Sequence, residues 1–241
     1  KIFKNKTYYN DNGNFNFNTI LNEIENSDII VFVNPNNPTG TFVKSQNIFE
    51  LIKKYPNKFF LVDESFIDFA NSISISEIEG SNTCTNFLII KSMSKSHGFP
   101  GVRLGYVYSN NINLIEEIKT SLPVWNFNSI AEYFLEIMLK YRNEFKISLD
   151  KTIKDREVFI KKMKSQNWVF NVFNSSADFI LVETNKEIIP LVDKLLNENS
   201  IYIREISSKF KDKKTYFRFA VRTSNENNKM IEAINTHLGI L

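Results

Sequence analysis

Apolar positions along the chain fall into two patterns. Short continuous runs rich in β-branched and aromatic residues occur at Ile29–Val33, Phe59–Val62, Phe87–Ile90 and Arg103–Tyr108. Each is bounded by turn-forming or charged residues, so each is predicted to be a strand, the first three buried. Between the first two, Ser45–Lys54 has helical spacing, with Ile48, Leu51 and Ile52 on one side. Apolar runs of this kind, separated by helical or loop segments, predict a sheet covered on both faces by helices. Helical spacing dominates after residue 110, at Ile112–Thr120, Ile130–Tyr141 and Ile147–Lys164. The last is long and charged on one face, and is read as joining two domains. Strand-like runs return at Trp168–Phe173, Phe179–Val182, Ile201–Arg204 and Tyr216–Val221. Helices near Glu187–Asn197 and Glu226–Leu238 separate or follow them, giving a smaller α/β domain. Ser224 is the expected cap of the last helix.

Composition removes several classes. A chain of 241 residues suggests one or two domains. Thirty basic residues against 27 acidic ones leave a net charge of +3. With no concentrated basic stripe, a nucleic-acid partner is not expected. No apolar run approaches the roughly 18 residues of a membrane-crossing helix, so no membrane partner is expected either. The basic start, Lys1–Lys6, leads into no apolar signal core. The single cysteine, Cys84, has no internal partner, which suggests a reducing compartment and a cytoplasmic protein. No metal is expected. The first residue is Lys rather than Met, which fits a trimmed start or a piece of a longer chain.

Three segments lie at predicted strand ends, where open α/β sheets hold their ligands. Asn34-Pro35-Asn36-Asn37-Pro38-Thr39-Gly40 reads by composition as a turn. Leu61–Phe69 carries the acidic pair Asp63-Glu64 at the end of an apolar run, either a solvated strand end or a functional one. Lys91–Tyr106 is a Ser- and Gly-rich stretch that holds Lys95 and, eight positions later, Arg103. Hydroxyls and an arginine suit a phosphate, and a lysine amine beside them can form a Schiff base with a carbonyl. The plainer reading is a basic surface loop, and the occurrence of all three segments in this order weighs against it.

Together the segments resemble those of the fold-type-I, pyridoxal-phosphate-dependent class I/II aminotransferases. Within that superfamily they resemble the branch of histidinol-phosphate aminotransferases and threonine-phosphate decarboxylases. The resemblance implies an α/β fold: residues 1–145 as a partial cofactor-binding large domain, a mostly parallel sheet with helices on both faces, and 146–241 as a small C-terminal α/β domain. It implies Lys95 as the Schiff-base lysine and later proton carrier, and Asp63 as the carboxylate facing the pyridine nitrogen, so that the ring accepts electrons. It further implies Asn37 on the ring's phenolic oxygen. Ser92 and Arg103, with Ser94 as a weaker candidate, are implied on the cofactor phosphate. Arg218, in Phe217-Arg218-Phe219-Ala220-Val221-Arg222-Thr223, matches the substrate-carboxylate arginine. Trp125-Asn126-Phe127-Asn128 suits either group and makes Asn128 a substrate-side candidate.

Two departures bear on the reaction. Phe66 stands where many aminotransferases of this branch have a Tyr that donates to the cofactor, and Phe cannot donate. Arg222 stands where a small residue is usual. Both features look like the threonine-phosphate decarboxylases, and Arg204 with Arg222 would bind a substrate phosphate, unless they are separate surface charges. His97 is read as structural and His237 as exposed. In the family, over a hundred residues precede the first segment and supply a Gly-rich turn, a ring-stacking aromatic and a Tyr for the neighbouring subunit. The chain is therefore read as the C-terminal two-thirds of an enzyme. The functions implied are amino transfer to or from a small, phosphorylated amine or amino acid, in a homodimer; alternatively decarboxylation of a phosphorylated amino acid; or an inactive truncated domain.

Overall fold

The computed structural model describes residues 17–240. They divide into two compact units, one running to Asn37 and resuming over Thr41–Lys146, the other comprising Pro38–Gly40 and the chain from Ile147 onward.

The first unit opens with helix α1 (Phe17–Glu25) and strand β1 (Ile29–Val33), then helix α2 (Ser45–Lys54) and strand β2 (Phe59–Asp63). Strand β3 (Phe87–Ser92) runs into the four-residue helix α3 (Met93–Ser96), and strand β4 (Gly105–Tyr108) returns beside it. The sheet order is β1-β2-β3-β4, with the first three strands parallel and β4 antiparallel. Alternation along the strands sends Phe32, Phe60, Val62, Phe87 and Ile89 to one face, where Ile20 and Ile24 of α1 and Ile48, Phe49 and Ile52 of α2 close a core. Burial of each such side chain contributes about 1.5–3 kcal/mol. The other face carries Ile29, Val31, Ile90 and Val107, which are 47, 56, 37 and 40% exposed. Strand β1, read from its composition as buried, is therefore buried on one face only. Helices α4 (Ile112–Ser121) and α5 (Ser129–Lys140) follow. Helix α6 (Arg142–Lys164) starts five residues before the pattern indicated, and Phe145 in its first turn stacks on His97, ring centroids 4.1 Å apart.

In the second unit, strands β5 (Val169–Val172) and β6 (Phe179–Thr184), helix α7 (Leu191–Asn199), strands β7 (Arg204–Glu205) and β8 (Thr215–Ala220), and helix α8 (Ser224–Leu238) build an antiparallel sheet of order β5-β6-β8-β7. Its core gathers Phe159 and Met163 of α6, Trp168, Ile180, Phe217, Leu195 and Ile234. Three expectations need correction. Strand β7 has two residues, since Ile203 is buried without joining the ladder. Thr223, not Ser224, caps α8: its hydroxyl accepts from Glu226 N while the Glu226 carboxylate accepts from Thr223 N, a capping box. The Ser224 hydroxyl instead donates to Asp155 of α6 at 2.7 Å. His237 is half-buried and hydrogen-bonds Asn199 at 3.0 Å.

Gly40 belongs to this second unit, and its carbonyl accepts from Ser176 N at 2.8 Å. Its φ is +73°, and a Cβ there would lie 2.1 Å from Ser175 Oγ and 2.9 Å from Ser175 Cα. Gly40→Ala is expected to destabilise the fold by about 1–3 kcal/mol, from a strained φ and a forced shift of Ser175. A urea midpoint lowered at unchanged slope would show this; an unchanged midpoint would contradict it.

Candidate active site

Three parallel strands end side by side, and the three segments singled out in the sequence follow their carboxyl ends. After β1, Asn34 N donates to Asp63 O at 2.8 Å, and the Asn34 side chain both donates to and accepts from the Val43 backbone at 2.8 Å. Those bonds close the Asn-Pro turn into a fixed loop, with the Asn34–Pro35 peptide cis. Asn37 follows on this loop with an exposed side chain.

After β2, the Asp63 carboxylate is held through one oxygen. Its Oδ1 accepts from Ser65 N at 2.9 Å and from the Ser65 hydroxyl at 2.5 Å. Among the described residues, Oδ2 has no hydrogen-bond partner. Glu64, the other half of the acidic pair, turns the opposite way and is fully buried. It accepts from Ser74 Oγ at 2.5 Å and Ile75 N at 2.9 Å, and burial pushes its carboxyl upward against those donors. The two carboxylates thus differ: Glu64 ties down the loop at Ser74, whereas Asp63 is bonded through one oxygen only among the described residues. Phe66 is buried.

After β3, Ser92 N donates to Ser65 Oγ at 3.0 Å, so one hydroxyl joins the ends of β2 and β3. Gly105 pairs with Ser92 across the sheet, and a Cβ there would lie 2.8 Å from Lys91 O. Ser94 is buried on α3, whereas Lys95 is exposed, its Nζ 5.9 Å from the Phe66 ring centroid. Lys91 is committed elsewhere, in a largely buried ion pair with Asp68 at 2.7 Å. Arg103 sits just before β4 at φ +59°, a conformation uncommon for a non-glycine residue. Its Nη1 donates to Pro100 O at 3.1 Å and its side chain is exposed. His97 is packed between Phe145 and Phe134 with Nδ1 3.2 Å from Met93 O, and burial holds it below the usual histidine range. Asn128 serves the local fold, because Oδ1 caps α5 by accepting from Ala131 N while Nδ2 donates to Val102 O at 3.1 Å.

In the second unit, Arg204 and Arg218 are directly opposed on β7 and β8, so their side chains share one face. Burial and then the charge of Arg204 lower the Arg218 guanidinium from its usual range. The arginine paired with Arg204 is thus Arg218, not Arg222. Arg222 lies beyond β8 in an ion pair with Glu226 at 2.8 Å. Hydrogen bonds from Thr223 and then Arg222 hold the Glu226 carboxyl down at about 2. Sequence reading passed over Ser65, whose signal is a hydroxyl two residues after an Asp, the spacing of an Asx-type turn.

The chain belongs to the class I and II aminotransferases, whose family model matches residues 1–234. It is 33% identical to the L-serine phosphate decarboxylase of Campylobacter jejuni, over 95% of this chain and 62% of that protein. It is 29% identical to a histidinol-phosphate aminotransferase of Ruminiclostridium cellulolyticum, over 83% of this chain and 54% of that one. The crystal structure of the histidinol-phosphate aminotransferase from Clostridium acetobutylicum superposes with a TM-score of 0.86 at 28% identity, covering 97% of this chain and 71% of that chain. The chain thus spans less than two thirds of the length of these two curated relatives. Pyridoxal 5'-phosphate is the cofactor of this family, and the first unit's donor set fits it. A carboxylate with an open oxygen suits a protonated ring nitrogen, an exposed lysine suits a carbonyl, and Ser92, Ser94 and Arg103 suit a phosphate. Among the described residues no helix is long and apolar enough to cross a membrane, and no cluster of His, Cys, Asp and Glu suits a metal.

Proposed function

We propose that the chain is the greater part of a pyridoxal-phosphate-dependent aminotransferase acting on a small phosphorylated amine or amino acid. The observation that carries this reading is the single open oxygen of Asp63, set at the carboxyl end of β2 beside the Ser92–Lys95 turn. The cofactor supplies an electron-withdrawing ring when bound. Asp63 accepts from the ring nitrogen and keeps it protonated. Lys95 would hold the cofactor through its carbonyl carbon, and its amine would carry a proton at the substrate carbon. Ser92, Ser94 and Arg103 bind the cofactor phosphate, and Asn37 donates to the phenolic oxygen. The substrate's anionic groups fall to Arg204 and Arg218, whose side chains share one face of the second unit's sheet and so converge two guanidinium forks on it. The protein is read as a cytoplasmic homodimer; Val124 and Trp125, 92 and 91% exposed, support a surface that a partner covers.

Decarboxylation is the second reading. Phe66 and the 33% identity to a serine phosphate decarboxylase support it. The ion pair of Arg222 with Glu226 weakens the argument from a second phosphate arginine. The two readings differ in which bond at the substrate carbon stands perpendicular to the ring. Incubating the full-length protein with histidinol phosphate, phosphoserine or phosphothreonine, each with 2-oxoglutarate, separates them: glutamate marks transfer, and carbon dioxide marks decarboxylation. Neither product from any of the three would overturn the activity. Arg204→Gln is expected to lower kcat/KM for the phosphorylated substrate by about tenfold or more, since a hydrogen bond to a charged group is worth about 1.5–3 kcal/mol. A change below about twofold, under roughly 0.5 kcal/mol, would remove Arg204 from the site.

A further inference from the structure

We propose that Ser65 is the positioning residue for Asp63, fixing the carboxylate so that one oxygen is always presented to the ring nitrogen. The proposal rests on the reading of Asp63 given above. A carboxylate on a strand end rotates between equivalent orientations unless something distinguishes its oxygens. Ser65 does so twice, because its backbone N–H and its hydroxyl both donate to Oδ1, while Oδ2 has no hydrogen-bond partner among the described residues. A serine hydroxyl has one donor and two acceptor sites. Here the donor is spent on Asp63, and an acceptor site takes Ser92 N at 3.0 Å. Since Ser92 N supplies the only hydrogen in that second bond, the hydroxyl proton is directed onto Asp63. Ser65 is only 6% exposed, so solvent does not readily replace the hydroxyl. The same atom sets the spacing between the strand that carries Asp63 and the strand that carries Ser92 and leads into Lys95.

A merely structural serine would act on the strand ends as a whole, whereas a positioning serine acts on the ring nitrogen. Two ligands separate these roles: pyridoxal phosphate and its 1-deaza analogue, in which C–H replaces the ring nitrogen. Full-length wild type, Ser65→Ala and Asp63→Ala are titrated with each, following tryptophan fluorescence or the ligand's visible absorbance. In Ser65→Ala, affinity for pyridoxal phosphate is expected to fall about three- to tenfold further than affinity for the analogue, the scale of one hydrogen bond. Loss of both affinities by the same factor, or of neither, would overturn the role of Ser65. Asp63→Ala is the control and should discriminate more strongly. If it discriminates and Ser65→Ala does not, the Ser65 role alone falls. If Asp63→Ala treats the two ligands alike, the reading of Asp63 falls and takes the Ser65 role with it.

Discussion

Lys95→Ala in the full-length protein is expected to reduce turnover by about 10³-fold or more, since proton transfer by a positioned side chain alone contributes about 10²–10⁴. The covalent hold on the cofactor goes with it. Two lysines stand near the end of β3, and their surroundings decide between them. Lys91 is locked to Asp68 at 2.7 Å with both side chains largely buried, so freeing its amine leaves a carboxylate without its partner. Lys95 is exposed on α3, and among the described residues it makes no ion pair; its neighbour is the Phe66 ring. Only the second is available to a carbonyl at little cost. Borohydride reduction with pyridoxal phosphate, digestion and mass spectrometry should place the pyridoxyl group on Lys95. A group on Lys91 with Lys95 unmodified would reverse the assignment.

Much of the first unit was legible because its strands are unambiguous. Phe59–Val62 and Phe87–Ile90 are short, apolar and closed by charged residues, and they become β2 and β3. Their parallel arrangement then puts Asp63 and Ser92 at one edge, so these candidate residues were placed once the strands were. Asn128 was harder. An asparagine before a helix and an asparagine that binds a ligand look the same in one sequence, and here the amide is spent on Ala131 N and Val102 O. Arg222 and Glu226 were readable as an i,i+4 pair, yet the arginine drew attention as a phosphate ligand instead. The opposition of Arg204 to Arg218 was not legible at all. It depends on how the chain between β7 and β8 sets the register, and that segment has no strong turn signature. Similarly, Thr223 and Ser224 are adjacent hydroxyls, and only backbone geometry decides which caps. Ile203 reads as strand by hydrophobicity, but its burial comes from packing and not from the ladder.

Asp63→Asn is expected to leave the fold intact and lower turnover at least 100-fold, about 2.7 kcal/mol or more in barrier. The substitution keeps the shape of the side chain and removes its charge. An amide oxygen still accepts from Ser65, as Oδ1 does now at 2.9 and 2.5 Å, so the urea midpoint should move little. At the open position an NH2 replaces an acceptor. It donates to an unprotonated ring nitrogen and so favours the neutral ring, which withdraws electrons less strongly. A carboxylate does the reverse, because a charge-assisted hydrogen bond favours the protonated nitrogen. The loss should therefore fall on kcat more than on cofactor content, which absorbance after gel filtration would report. Reconstitution with N-methylpyridoxal phosphate, whose ring carries a permanent positive charge, should restore part of the lost rate in the variant. A turnover within about twofold of wild type, under roughly 0.5 kcal/mol, would mean that Asp63 does not face the ring nitrogen.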